Sequence, residues 1–237
     1  MIAVIIPTLD EEASIGEVVR AVPRDLVGRI IVADSGSTDA TAARARSGGA
    51  DVLDVGRGYG RACLSAAQAA GGADILVYMD GDGADDPGSI AALVAPIRSG
   101  DFDFVIGSRL RGEREPGSMS WHQIAAGLMA GFGMRMLYGI RYTDMCAFRA
   151  IRRDRLLALG MREMTYGWNI EMQMRAARAG LRILEMPVPY RCRTGGASKV
   201  AASPSGGLKA AVRIVATFVR VATKPRAAPA LAMRESP

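Results

Sequence analysis

Asp80-Gly81-Asp82 sets two carboxylates on either side of one small residue, directly after a strand expected over residues 74–79. Carboxylates that close can share a hard cation. Mg²⁺ or Mn²⁺ held by few carboxylates keeps coordination positions for phosphate oxygens. Asp85 and Asp86 add negative field beside the pair. A solvated acidic turn accounts for the same three residues, and spacing alone does not separate the two readings. A calcium loop fails, because Ala84 and Asp85 stand where an EF-hand needs an oxygen ligand and a glycine.

Two more segments carry chemistry-bearing residues. Gly56-Arg57-Gly58-Tyr59-Gly60 forms a turn that can approach a phosphate or base closely, since glycine removes the side-chain barrier. It is not a Walker loop, for no G-K-[ST] follows. Asp34-Ser35-Gly36-Ser37-Thr38-Asp39 is a polar turn opening a helix, in which Asp34 can hydrogen-bond a ribose or base and Asp39 favours the helix dipole. His122 is the only histidine, and the three cysteines Cys63, Cys146 and Cys192 are scattered. A histidine triad, a zinc site and a disulfide framework are therefore not expected, and oxygen ligands are.

The elements that must position these groups alternate. Strands are expected at 2–6, ended by Pro7, and at 29–33, 52–55, 74–79 and 102–106; helices at 11–22, at 38–46 with Ser37 as cap, from the glycine turn to about Gly71, and at 87–98. This spacing predicts an α/β fold with a mostly parallel sheet and helices on both faces. Ligands of such sheets bind at the carboxyl ends of strands, where Asp34 and Asp80 both fall. The second half reads as a charged loop at 109–120, helices at 121–137, 152–159 and 168–179, and a short strand at 182–185. On the third of these helices Glu171 precedes Arg175 by four residues, the spacing of an intrahelical pair.

Of 30 basic and 24 acidic side chains, nine basic and one acidic lie after residue 185. Basic residues interleaved with aromatics are lacking, so a nucleic-acid partner is not expected. An anionic membrane surface or a phosphorylated acceptor fits better. Residues 208–224 read as an amphipathic helix about 25 Å long, short of a bilayer. Leu208, Val212, Val215 and Val219 share one face, extended by Ile214, Phe218 and Val221, and Lys209, Arg213, Arg220 and Lys224 form an opposing basic stripe. Such a helix lies on an anionic membrane or packs on the domain. The amino terminus lacks a signal-peptide pattern, which leads to the expectation of a cytoplasmic protein, peripheral at the cytoplasmic membrane face.

In order along residues 2–200 stand Ile6-Pro7-Thr8-Leu9-Asp10-Glu11-Glu12, Asp34 to Asp39, Gly58-Tyr59-Gly60-Arg61-Ala62, Asp80-Gly81-Asp82 with Asp86-Pro87, Ile106-Gly107-Ser108-Arg109, Thr143-Asp144-Met145-Cys146-Ala147-Phe148-Arg149 and Arg193-Thr194-Gly195-Gly196-Ala197-Ser198-Lys199. The ordered set resembles the family 2 glycosyltransferases, in pattern nearest the dolichol-phosphate mannose synthase and polyprenyl-phosphate glycosyltransferase group. The resemblance implies the A-type glycosyltransferase (GT-A) fold, Rossmann-like, and a UDP- or GDP-sugar donor. It implies that Pro7, Thr8 and Glu11 line the nucleotide pocket, with Asp34 on the nucleoside and Gly58 and Asp80 nearby. It makes Asp80 and Asp82 the metal pair for Mg²⁺ or Mn²⁺, and Arg109, Arg193 and Lys199 the phosphate partners. The family's Ser-Gly-Phe-Arg is replaced here by Cys146-Ala147-Phe148-Arg149.

These residues imply sugar transfer to a polyprenyl phosphate. A hydroxyl acceptor would need a base, for which Asp144 is the candidate, unless it is paired with Arg149 or Arg141. A non-catalytic nucleotide- or lipid-binding module is the competing class. The expected organisation is a catalytic domain over 1–200, the basic helix over 201–224 and a disordered tail over 225–237.

Overall fold

The structure, a computed structural model, describes residues 1–195 and 204–223. Lys199, the boundary at residue 200 and the tail at 225–237 lie outside them. The first strand, β1 (Ile2–Thr8), is buried along its whole length. It runs through Pro7 rather than stopping there. Its pairing with the strand on one side ends at Ile5 opposite Tyr78, whereas pairing on the other side continues to Thr8 opposite Asp34. The missing N–H of Pro7 thus falls where the neighbouring strand has already ended.

Helix α1 (Ile15–Ala21) starts later than the apolar spacing suggests, because residues 10–14 are drawn into loop contacts. Then follow β2 (Arg29–Asp34), α2 (Thr41–Ser47), β3 (Asp51–Asp54), α3 (Tyr59–Ala69), β4 (Ile75–Tyr78), a 3₁₀ turn at Pro87–Ser89, α4 (Ile90–Arg98) and β5 (Phe104–Ser108). The second half adds α5 (Trp121–Tyr138), β6 (Arg149–Arg152), α6 (Arg153–Ala158), α7 (Trp168–Arg178), β7 (Ile183–Pro187) and α8 (Pro204–Ala222). Ser37 does not cap α2, whose cap position is Ala40; the Ser37 hydroxyl bonds Asp34 instead.

The seven strands form one sheet in the order β3-β2-β1-β4-β6-β5-β7. All neighbours are parallel except β6, which runs antiparallel between β4 and β5. β6 is the strand the sequence conceals. Its four residues, Arg-Ala-Ile-Arg, show neither an apolar run nor alternation. The side chain of Arg149 is nonetheless fully buried, donating to the carbonyls of Met145, Cys146, Ala147 and Asn169. Backbone oxygens satisfy a cation that has no carboxylate partner among the described residues, and burial lowers its pKa.

The core lies on both faces of the central strands β1, β4 and β5, as the unbroken apolar pattern of fully covered strands requires. Glu171 forms its expected pair with Arg175, and Met172 and Met174 fill the core.

Candidate active site

Thr8 and Asp34 are register partners at the carboxyl ends of β1 and β2. Asp34 accepts bonds from Thr8 Oγ1 at 3.5 Å, from Ser37 N at 3.2 Å and from the Ser37 hydroxyl. The two following loops are stitched together. Asp10 N donates to Ser37 Oγ, Glu11 N to Thr41 Oγ1 and Glu12 N to Asp39; Thr38 N donates back to Asp10 and Ala40 N to Glu12. Asp10 adopts a left-handed backbone, φ 50°, which an Asp tolerates better than most residues. Pro7, Thr8, Glu11 and Asp34 are thereby gathered at one end of the sheet. Asp39 accepts Thr41 N at the start of α2 and Glu12 N, so it joins the loops as well as serving the helix end.

Asp80 and Asp82 follow β4 on the same side. Gly81 sits between them because a Cβ there would stand 2.8 Å from Thr8 Cγ2. Its carbonyl accepts the Ser14 hydroxyl at 2.7 Å. Asp85, almost wholly buried, folds back so that its carboxylate accepts Asp80 N at 2.9 Å. Three carboxylates are thus crowded in one turn. Burial, then the charges of Asp85 and Asp82, push the Asp80 carboxyl well above its ordinary value. Burial raises Asp85 to about 7, with Asp82 adding to it. The turn favours a cation for this reason: a bound positive charge relieves repulsion that Arg109 and the other nearby cations offset only in part.

One cation already approaches. Arg193 donates to Glu11 at 2.8 Å and lies 3.7 Å from Asp82. Its Nε is buried with no hydrogen-bond partner among the described residues. Thr194 N holds the Asp82 carbonyl at 2.9 Å. Residues 190–194 therefore close over the acidic turn, and Arg191 N bonds the Ala84 carbonyl as part of the same closure.

Beside this turn, Arg109 and Asp144 form a two-pronged pair, Nε and Nη2 each 2.7 Å from a carboxylate oxygen, and Arg109 N adds a third bond at 3.0 Å. The partner of Asp144 is thus Arg109, and neither Arg149 nor Arg141. Burial opposes the charge of Asp144, but the Arg109 fork outweighs it and holds the carboxyl below the usual range. The guanidinium also stacks 4.9 Å over the Tyr190 ring. Glu185, from β7, accepts Thr143 N at 2.7 Å, Thr143 Oγ1 at 3.0 Å and Asp144 N at 3.3 Å, which fixes the segment that carries Asp144.

The Gly56–Gly60 turn has another reason for its glycines. A Cβ on Gly58 would lie 2.6 Å from the Met164 carbonyl oxygen, and one on Gly60 2.2 Å from that of Glu163. The turn is flush against the 163–164 backbone, and Arg61 N bonds Met164 O. Tyr59, which it carries, reaches Asp80 at 3.4 Å. Sequence reasoning did not single out Tyr59, Glu185 or Tyr190. Tyr59 stood inside the glycine turn without a role of its own, and no local pattern marks Glu185 or Tyr190, which only the closing of distant segments makes neighbours of the site.

The sequence pattern of the Glycosyl transferase family 2 matches residues 3–159. A glycosyltransferase of Mycobacterium tuberculosis (strain ATCC 25618 / H37Rv) is 34% identical over 223 residues, 93% of this chain and 97% of that protein. The polyprenol monophosphomannose synthase of Mycolicibacterium smegmatis is 30% identical over 218 residues, 84% of this chain and 81% of its own. Among solved structures, glucosyl-3-phosphoglycerate synthase from Mycobacterium tuberculosis, in complex with Mn²⁺, UDP and glucosyl-3-phosphoglycerate, superposes with a TM-score of 0.73 at 26% identity, covering 95% of this chain and 81% of that one. The fold is the GT-A fold of such enzymes, and this chain belongs to glycosyltransferase family 2.

Proposed function

We propose that this chain transfers a sugar from a nucleotide-sugar, with the help of Mn²⁺ or Mg²⁺, to a polyprenyl phosphate. The observation that carries the donor half is the acidic turn of Asp80, Asp82 and buried Asp85, overlooked by Arg193. Among the described residues no three or more His, Cys, Asp or Glu side chains are arranged to hold an ion by themselves. Asp80 and Asp82 suit an ion that is completed by diphosphate oxygens. The solved relative, bound to Mn²⁺ and UDP, supports this reading. When bound, the metal would stabilise charge on the departing diphosphate.

The chain's own residues do the rest. Thr8, Glu11 and Asp34 hold the nucleoside end against the stitched loops. Arg193, whose Nε lacks a partner among the described residues, supplies a donor toward a phosphate oxygen. Lys199, from the same resemblance, belongs to this phosphate set by sequence alone. Asp144 is committed to Arg109 through both oxygens and is held ionised, which makes it a weak base. That pairing favours an acceptor which arrives already ionised over a hydroxyl acceptor that needs deprotonation. The mycobacterial relative named for polyprenol monophosphomannose synthesis supports a lipid phosphate.

Labelled UDP- and GDP-sugars, offered with a short polyprenyl phosphate, with 3-phosphoglycerate or with water alone, test both halves. We expect a lipid-linked sugar whose formation requires metal and drops about 10²–10³-fold in Asp82→Ala. Full turnover by Asp82→Ala in excess chelator would remove the metal assignment. Transfer to 3-phosphoglycerate in place of the lipid would keep the anionic acceptor and remove the polyprenyl part.

A further inference from the structure

α8 is apolar on two sides: Ala210, Ile214, Phe218 and Val221 pack against the domain, and a second apolar stripe is left outside. Arg213 and Arg220, half of its expected basic face, lie at the edge of the docked side, where Glu163, nearly buried, accepts Arg213 Nε at 3.1 Å, Arg220 Nη2 at 3.3 Å and Thr217 Oγ1 at 3.0 Å. Arg220 also reaches buried Glu171 at 3.2 Å. The outer apolar stripe carries Leu208, Val212, Val215 and Val219, each more than half exposed.

α5 repeats the pattern. Its buried side is a stripe of small residues: a Cβ on Gly131 would lie 1.9 Å from the Tyr142 carbonyl oxygen, and one on Gly127 3.3 Å from that of Thr143. Its outer side carries Trp121, Met129, Phe132 and Met136, each about two-thirds exposed or more. The two helices touch where Phe218 closes on Gly133, so the outward stripes flank one crossing. An apolar face made of two helices is far outside ordinary surface composition.

We propose that the outer faces of α5 and α8 form one platform that rests on an anionic lipid surface. Neither helix contains an acidic residue, and no Asp or Glu occurs between Glu115 and Asp144. Arg135, Arg141 and Lys209 stand exposed on or beside the helices. This charge complements lipid phosphate. Two copies of the same acid-free face would set like charges against each other. Trp121, stacked on His122 at the start of α5, has the amphipathic ring favoured at the water boundary. Among the described residues no helix is long and apolar enough to cross a membrane, so the platform lies on the surface. The position suits the reaction: the inner face of α5 packs directly on the Thr143–Asp144 backbone, on the acceptor side of the site.

Sedimentation of the full chain with phosphatidylglycerol-containing vesicles and with pure phosphatidylcholine vesicles tests this. Neither donor nor acceptor is present, so the outcome is independent of the proposed reaction. We expect binding to the anionic vesicles, reduced at least roughly tenfold by Phe132→Asp with Met136→Asp and, separately, by Val215→Asp with Val219→Asp. Unchanged melting and UDP binding establish that these variants are folded; Phe132→Gln with Val215→Gln replaces any that is not. Vesicle binding unaffected by these substitutions overturns the proposal. So does a chain that ignores anionic vesicles, or one that forms a dimer which the substitutions dissociate.

Discussion

The two halves of the site are held by different kinds of force. The donor half, built from the loops after β1, β2 and β4, is joined by many short hydrogen bonds between backbone N–H groups and Ser, Thr and Asp side chains. An ionic contact at the site itself, Arg193 with Glu11, comes from a segment far along the chain. The acceptor half depends on one buried ion pair, Arg109 with Asp144, backed by Glu185. A network of modest bonds loses one member gradually. A buried pair that loses one partner leaves the other charge stranded. The acceptor half is therefore the more brittle.

The strongest way to test that contrast is Asp144→Ala. It should lower stability by about 3–5 kcal/mol in urea unfolding, because Arg109 remains buried without its carboxylate. A loss under ~1 kcal/mol would show that the pair is not a keystone. Acid titration sharpens the point. The Asp144 carboxyl is held below its ordinary value of 3.8, so its contribution is complete above that value and disappears as pH falls through the lower native one. The stability gap between the native chain and Asp144→Asn should therefore close only below about pH 3.8.

Next comes Gly60→Ala, which forces a methyl group onto the Glu163 carbonyl. A cost of about 1–3 kcal/mol is expected, together with weaker UDP binding through displacement of Tyr59. Isothermal calorimetry reads the second effect, and unchanged affinity would separate the glycine turn from the donor pocket. Glu163→Gln should cost about 1–3 kcal/mol, because it removes the charge that draws in two arginines of α8; protease cleavage within residues 204–223 reports the release. The smallest effect belongs to Arg29→Ala. That residue pairs with Asp51 at 2.7 Å, but both side chains are open to solvent, and a loss within about 1 kcal/mol is expected from thermal melting. A larger loss would mean that the donor half also leans on ionic contacts.

Much of the donor half was legible in the sequence because it is local. Strand–helix alternation located Asp34 and Asp80 at strand carboxyl ends, and the structure sets them there. The acceptor half was legible only as a set of residue types. Asp144 lies 35 residues from Arg109 and Glu185 lies 41 from Asp144, and no periodicity relates such positions. β6 escaped notice for a related reason: its arginine is buried by carbonyls contributed from α7 and the preceding loop, a solvation that composition cannot reveal. Gly58 and Gly60 were read as letting a phosphate or base come close; what comes close to them in this structure is the 163–164 backbone.

By itself the sequence determined the α/β class, the acidic turn, the family and the presence of a terminal amphipathic helix. These depend on short-range order: apolar runs, turn residues and the 3.6-residue period. Tertiary structure alone decided which strand runs backward, which arginine meets Asp144, and which side of α8 faces outward. The helix's period reveals its faces, but only the domain beneath it, which takes up Ile214, Phe218 and Val221 and holds Arg213 and Arg220 through the buried glutamates Glu163 and Glu171, determines that Leu208, Val212, Val215 and Val219 stay outside.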